Sequence, residues 1–442
     1  MSDAADLSAR EAARAVAAGE LRATELAEAC LKRIAARDEA VEAWAFLDRD
    51  KAMTEAEERD RRRQAGMPLG PLHGVPVGVK DIIDTHDFPT ENGSPLHAGR
   101  RPQHDAAVTE RLRAAGAVIL GKTVTTEFAL YHPGKTRNPH DPERTPGGSS
   151  SGSAAAVADF MVPLAIGSQT NGSVIRPAAF CGVHGFKPSH GRIPRRGVCA
   201  QSRALDTVGT FARSLDDLAL VTEPLIGHDP GDPDTRPEAG SYLRATLAQE
   251  PPVRPKLAFA RTPVWDHAAD DTKAAFADLV AGLGADAEEV ELPPAFERAV
   301  AIHRTIMEAD VARSFAAEYD RSADRLSARL REVIERGRTV LAVDYNAARD
   351  AVPELRAALE PLFARFDAIL TPPAPGEAPR DLSTTGNPIF CTIWTLLGTP
   401  AVTLPLLRGS AGMPIGVQLT AQKGDDARLL RTARWLVERV AA

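Results

Sequence analysis

Residues 145–156 read TPGGSSSGSAAA and residues 169–188 read QTNGSVIRPAAFCGVHGFKP. In the first stretch, Gly147 and Gly148 permit unusual backbone geometry just before Ser149, and the small residues after it suit the start of a helix. In the second, Asn171 and Gly172 permit a tight loop that aims several N–H groups into one small volume, as an oxyanion hole requires. The apolar run at 162–166 between them reads as a strand. Outward from it, 75–79 and 118–120 are further short apolar runs, 109–115 reads as an intervening helix, and Gly, Pro and Asn punctuate the joins. Strands alternating with helices predict an α/β fold, a mixed, mostly parallel-type β-sheet sandwiched between layers of α-helices.

The rest of the chain fits around this centre as one domain over 1–442. Residues 1–65 read as a helical cover: Ser8 with Glu11 fits a capping box, and Leu26, Cys30 and Ile34 recur at helical spacing. Residues 66–225 form the catalytic core, and a Pro-, Gly- and Asp-rich stretch at 228–236 marks its boundary. From 226 to 375 we expect a variable helical insertion that forms part of the substrate pocket. It contains a strand at 257–260 and several charged amphipathic helices between 270 and 366, and a strand at 368–370 begins the way back. Residues 376–442 return to the core, with strands at 401–404 and 415–419 and a closing helix from Asp426.

Composition narrows the function. The 442 residues carry a formal charge of −7, with no long basic run, which argues against a nucleic acid or anionic membrane as partner. The N-terminus is polar and acidic, and no window approaches ~18 consecutive apolar residues, so neither a signal peptide nor a spanning helix is expected. Cys30, Cys181, Cys199 and Cys391 are scattered without a CxxC pair, so no metal site or disulfide framework is expected, and a cytoplasmic setting is.

Chemistry concentrates in three segments: VGVKD with Lys80, the glycine–serine run with Ser149, and the loop with Ser173. Lys80 ends an apolar strand, where a solvated charge would be out of place. Taken together, with Ser149 and Ser173 separated by 24 positions and both downstream of Lys80, these segments resemble the amidase signature family, in the free-standing subgroup with the GSVIRPA variant. GAVILGKTVTTEFA, ALDTVGTFARSLDDLAL, IWTLLGTPAVTLPL and GMPIGVQL extend the likeness over nearly the whole chain, most weakly between 228 and 366.

The resemblance implies a hydrolase for linear amides that releases a carboxylic acid and ammonia or an amine through a seryl acyl-enzyme, with ester and carbamate cleavage open. It places the catalytic lysine at Lys80, the bridging serine, held by a cis peptide, at Ser149, and the acylated nucleophile at Ser173. It forms the oxyanion hole from the N–H groups of Thr170, Asn171, Gly172 and Ser173. Gly148 and Arg176 are candidate substrate-binding residues. Arg176, about one helical turn after the nucleophile, could meet a substrate carboxylate or form a structural ion pair with an acid. The chemistry requires a neutral lysine, which at pH 7 costs roughly 4.6 kcal/mol in water and which burial can supply. No cofactor or metal is implied. The expected partner is a small-molecule amide; a homodimer stays open.

Two positions depart from the family's common Asp-Thr-Gly-Gly-Ser string, Gln169 and Asn171, and the Asn171 side chain could either crowd the loop or add a donor. The alternative function is the A-type subunit of a tRNA-dependent amidotransferase, which shares the fold and triad; the modest C-terminal region argues against it. Two decoys are set aside. Gly116–Thr123 satisfies a P-loop pattern, but its middle is apolar like a strand, and GSSSG fits a GxSxG esterase elbow at Ser150 without a later catalytic histidine after His303. His184 and His190, flanking an FKP turn, read as loop or core histidines.

Overall fold

The computed structural model describes residues 4–237 and 240–441. Eleven strands form one sheet: β1 (Trp44–Leu47), β2 (Pro76–Lys80), β3 (Val118–Thr123), β4 (Leu164–Gln169), β5 (His184–Lys187), β6 (Thr207–Ala212), β7 (Leu257–Ala260), β8 (Ala287–Val290), β9 (Ala368–Thr371), β10 (Ala401–Arg408) and β11 (Pro414–Thr420). Their order across the sheet is β1-β3-β2-β4-β6-β5-β10-β11-β9-β7-β8. Parallel pairing joins β2 to β3 and β4, and β7 to β8 and β9. The remaining neighbours are antiparallel. The sheet is therefore mixed, as expected, but antiparallel pairs are the larger share: β10 and β11 join through the short connection 409–413, and β6 runs against both β4 and β5.

Every residue of β2, β3 and β4 is buried, which explains their nearly unbroken apolar runs: strands covered on both faces have no solvent side to alternate with. One face packs against the helices Ala23–Val41, Arg49–Gln64 and Ser151–Ala158 through Leu26, Ile34, Val118, Leu120 and Ala155. The other packs against Ala107–Ala114, Leu215–Thr222 and Asp426–Ala441 through Leu112, Leu218 and Leu429. The Ser8–Glu11 capping box is formed, with Glu11 N donating to Ser8 Oγ and Ser8 N to Glu11 Oε2.

Residues 226–375 are more than a helical insertion. They supply β7, β8 and β9, one edge of the sheet, while their helices Ala299–Ser314, Ala328–Arg338 and Ala342–Phe363 bury Ile306, Val311, Ile334 and Leu355 against Phe128 and Trp394. The 162–166 strand begins two residues later, at Leu164, and the supposed FKP turn is strand β5. Among the described residues no helix is long and apolar enough to cross a membrane.

Candidate active site

Lys80 is the last residue of β2 and is fully buried. Its Nζ lies 2.7 Å from Ser149 Oγ and 2.9 Å from Ser168 Oγ. Burial pulls the ammonium down to about 7, although Asp206 and Cys199 oppose the fall. Near neutral pH a large share of Lys80 is thus an uncharged amine. In that form its lone pair can accept from one serine while an N–H donates to the other. The Gly148–Ser149 peptide is cis. Gly147, at φ +84°, approaches Pro177 so closely that a Cβ there would lie 2.7 Å from its Cα. Thr126 N donates to Ser149 O at 3.2 Å, fixing the backbone on the serine's other side.

Ser168, one residue before the end of β4, escapes a reading of the sequence, because a serine in an apolar strand carries no motif. Its position suits it to orient the amine toward Ser149. Ser168→Ala removes a hydrogen bond worth more to the ammonium than to the amine. We expect kcat/KM to fall about 10-fold and its pH limb to move to lower pH; an unchanged profile would contradict this role.

The loop 170–173 joins β4 to the helix Ile175–Cys181. Gln169, where the family's common string has Asp, accepts at Oε1 from the N–H groups of Val174 (2.9 Å) and Ile175 (3.0 Å), satisfying the start of that helix. Its Nε2 donates to Thr395 Oγ1, which donates to Asn171 O at 2.5 Å. Thr170 is held from two sides: its Oγ1 donates to Asp206 Oδ1 at 2.6 Å, and His303 Nε2 donates to its carbonyl at 3.0 Å. Burial pushes Asp206 up to about 6 and His303 down to about 4, so His303 is neutral at pH 7. Among the described residues no backbone acceptor takes the N–H groups of Asn171, Gly172 or Ser173. The Asn171 side chain accepts from Thr392 Oγ1 at 2.8 Å.

Ser149, Thr170, Asn171, Gly172, Ser173 and Arg176 line one narrow cleft, of about 320 Å³ with its open mouth, walled by Leu130, Tyr131, Met307 and Pro388. The Ser173 side chain has no hydrogen-bond partner among the described residues. Gly148 is placed differently: its carbonyl accepts from Arg176 Nη2 at 2.7 Å, and it is absent from the cleft wall. Arg176 is buried, and its remaining bonds run to Thr385 O (2.7 Å) and Thr385 Oγ1 (3.1 Å). No carboxylate pairs with it among the described residues, and its Nη1 has no partner. A larger cavity, about 680 Å³ with its open mouth, lies across Thr170 and reaches Ser168 and Asp206 but none of the three residues Lys80, Ser149 and Ser173.

The decoys resolve structurally. Residues 118–123 are β3, and Lys122 is buried, donating to Ile83 O and Thr90 Oγ1, so no phosphate loop exists there. Ser150 is buried, its Oγ donating to Ser168 O and accepting from Ser168 N, unlike an exposed nucleophile elbow. Among the described residues, His86, Asp87 and Asp105 form the one cluster spaced for a metal, and Lys51 and Arg113 already pair with its carboxylates.

The family described as Amidase matches residues 25–430. The A-type subunit of the glutamyl-tRNA(Gln) amidotransferase of Chloroflexus aurantiacus is 34% identical over 98% of this chain and 96% of its own length. Among solved structures, a chain from a vestigial protein complex bearing on the origins of an s-triazine catabolic enzyme superposes with a TM-score of 0.91 at 30% identity, covering 98% of each chain. The native peptide amidase from Stenotrophomonas maltophilia superposes with a TM-score of 0.86 at 30% identity, covering 99% of this chain and 97% of that one.

Proposed function

Because this chain belongs to the amidase family, we propose that it hydrolyses the carbon–nitrogen bond of a small amide carrying a carboxylate, through an acyl-enzyme on Ser173. The observation that carries the chemistry is the buried Lys80–Ser149 contact opening onto the cleft that Ser173 lines. Ser149 passes a proton to neutral Lys80 and takes one from Ser173, whose Oγ attacks the carbonyl carbon. The oxyanion meets the untaken N–H groups of the 170–173 loop, a contribution typically worth about 2.7–4 kcal/mol per donor. The relay then returns a proton to the departing nitrogen as the C–N bond breaks. Water, activated by the same relay, cleaves the ester to free the acid.

Arg176 supports the carboxylate. A buried guanidinium with no acid partner and an unpartnered Nη1, on a residue that lines the cleft, is short of one anion. Arg176→Ala should raise KM for acidic amides by about 10- to 100-fold and leave neutral ones much less changed. Equal losses for both would make Arg176 structural, acting through Thr385 and Gly148.

The second reading, an A-type amidotransferase subunit, uses the same chemistry and is the one the relatives favour over a free-standing enzyme. The modest C-terminal region does not count against it, since this chain spans 96% of such a protein. The test is to assay glutamine and simple amides with the purified chain, alone and with the other components of an amidotransferase. Full turnover alone supports the free-standing enzyme. Turnover only in the assembly, with amidation of glutamyl-tRNA, supports the amidotransferase reading.

A further inference from the structure

One wall of the cleft, that of Ala129, Leu130 and Tyr131, is firmly built. Phe128 (φ 47°) and Ala129 (φ 56°) are consecutive non-glycine residues in the left-handed region, a conformation that persists only where the surroundings over-determine it. Here they do. Phe128 N donates to Asn92 O at 2.7 Å, and Gln201 Nε2 donates to Phe128 O at 2.6 Å. The Phe128 ring meets His97 and Phe315 at centroid distances of 5.0 and 4.9 Å. Glu127 accepts from Ser327 N, which ties the segment to a helix of the 226–375 region. The result is that Tyr131, two residues on, stands on the cleft wall with Arg176.

The Tyr131 hydroxyl is poorly satisfied. Its hydrogen-bond acceptor is Met307 Sδ at 3.8 Å, a weak one. Asn171, whose amide oxygen is anchored by Thr392, lines the same cleft. Burial raises the phenol above its ordinary range, so it keeps its proton as a donor at neutral pH, and the Arg176 charge acts on it within the same site. One cleft therefore holds two donors without a strong acceptor, Arg176 Nη1 and the Tyr131 hydroxyl.

We infer that Tyr131, positioned by the anchored Phe128–Ala129 segment, is a specificity-determining residue whose hydroxyl donates to the substrate's carboxylate beside Arg176. This rests on the carboxylate reading above and adds to it. A carboxylate has lone pairs enough to accept from both groups, whereas a neutral alkyl acyl group leaves both donors buried and unmet.

The test compares ammonia release from succinamate and from butyramide, in whichever assembly proves active, for the wild type and Tyr131→Phe. This variant keeps the ring and its packing. We expect the wild type to prefer succinamate. In the variant, KM for succinamate should rise about tenfold or more relative to that for butyramide, with the ratio of their kcat values little changed. If the wild type shows no preference for succinamate, the carboxylate reading falls, and this inference with it. If the preference exists and survives in Tyr131→Phe, or if both substrates suffer equally, the Tyr131 role alone is overturned.

Discussion

Ser173→Ala is expected to reduce amide hydrolysis by about 10⁴-fold or more, to abolish labelling by a serine-reactive phosphonate, and to leave thermal unfolding unchanged. The last part follows from the geometry. Ser173 Oγ has no hydrogen-bond partner among the described residues and faces the cleft, so its removal breaks no internal contact and opens no core cavity. The loop around it keeps its other anchors, Thr170 to Asp206 and His303, and Asn171 to Thr392 and Thr395. Whatever activity remains reports on the oxyanion loop and substrate binding without a nucleophile. Ser150 offers a control. It is buried and bonded to the Ser168 backbone, so it should stay unlabelled in the variant, and a label there would revive the elbow reading.

The parts of this site legible in the sequence are those where backbone geometry dictates residue type. Gly147 and the small residues after Ser149 are visible because a close approach to Pro177 and a buried helix tolerate little else. Lys80 is visible because a charge closes an apolar strand. Strands β2 and β3 stand out for the same reason, being buried on both faces. Strands β1, β5, β6 and β8 do not stand out: β1 and β8 are edge strands of four residues, and the His-Gly-Phe-Lys of β5 looks like a turn until β6 and β10 pair with it. The contributions of Ser168, His303, Tyr131 and Thr395 are equally hidden. Each comes from a distant element, and its partner is set by tertiary packing that no local spacing encodes.

Lys80→Met should lower kcat/KM by about 10²–10⁴-fold and remove the rising limb of its pH profile. With its ammonium pulled down to about 7, Lys80 is largely protonated and inactive below that pH and free to accept a proton above it, so the wild-type rate should climb through pH 7 and level off. Four other buried groups titrate nearby, Lys187 at about 7, Lys122 at about 8, and Asp206 and Asp81 at about 6. Lys122 and Asp81 pair with each other at 3.5 Å and are not among the residues lining the cleft. Lys187 donates to the carbonyls of Pro188 and Thr399 and is not among the residues lining the cleft, so its titration should register in stability rather than turnover. Asp206 holds Thr170, so a limb that persists in Lys80→Met would transfer the assignment to it. Stability supplies an independent check with a definite sign. The unfolded chain holds its Lys80 proton up to about 10.5, the folded chain only to about 7, so the unfolded state binds more protons between these values and wild-type stability rises with pH across that window. Below pH 7 the full burden of a buried ammonium is present; above 10.5 it has vanished. Methionine fills similar space without the charge, so the variant should exceed the wild type in stability by the largest margin below pH 7, and that margin should close as pH approaches 10.5. A wild type that is the more stable of the two at pH 6 would mean that Lys80 is anchored in the native state by more than its two serines, and the neutral-base mechanism would lose its physical footing.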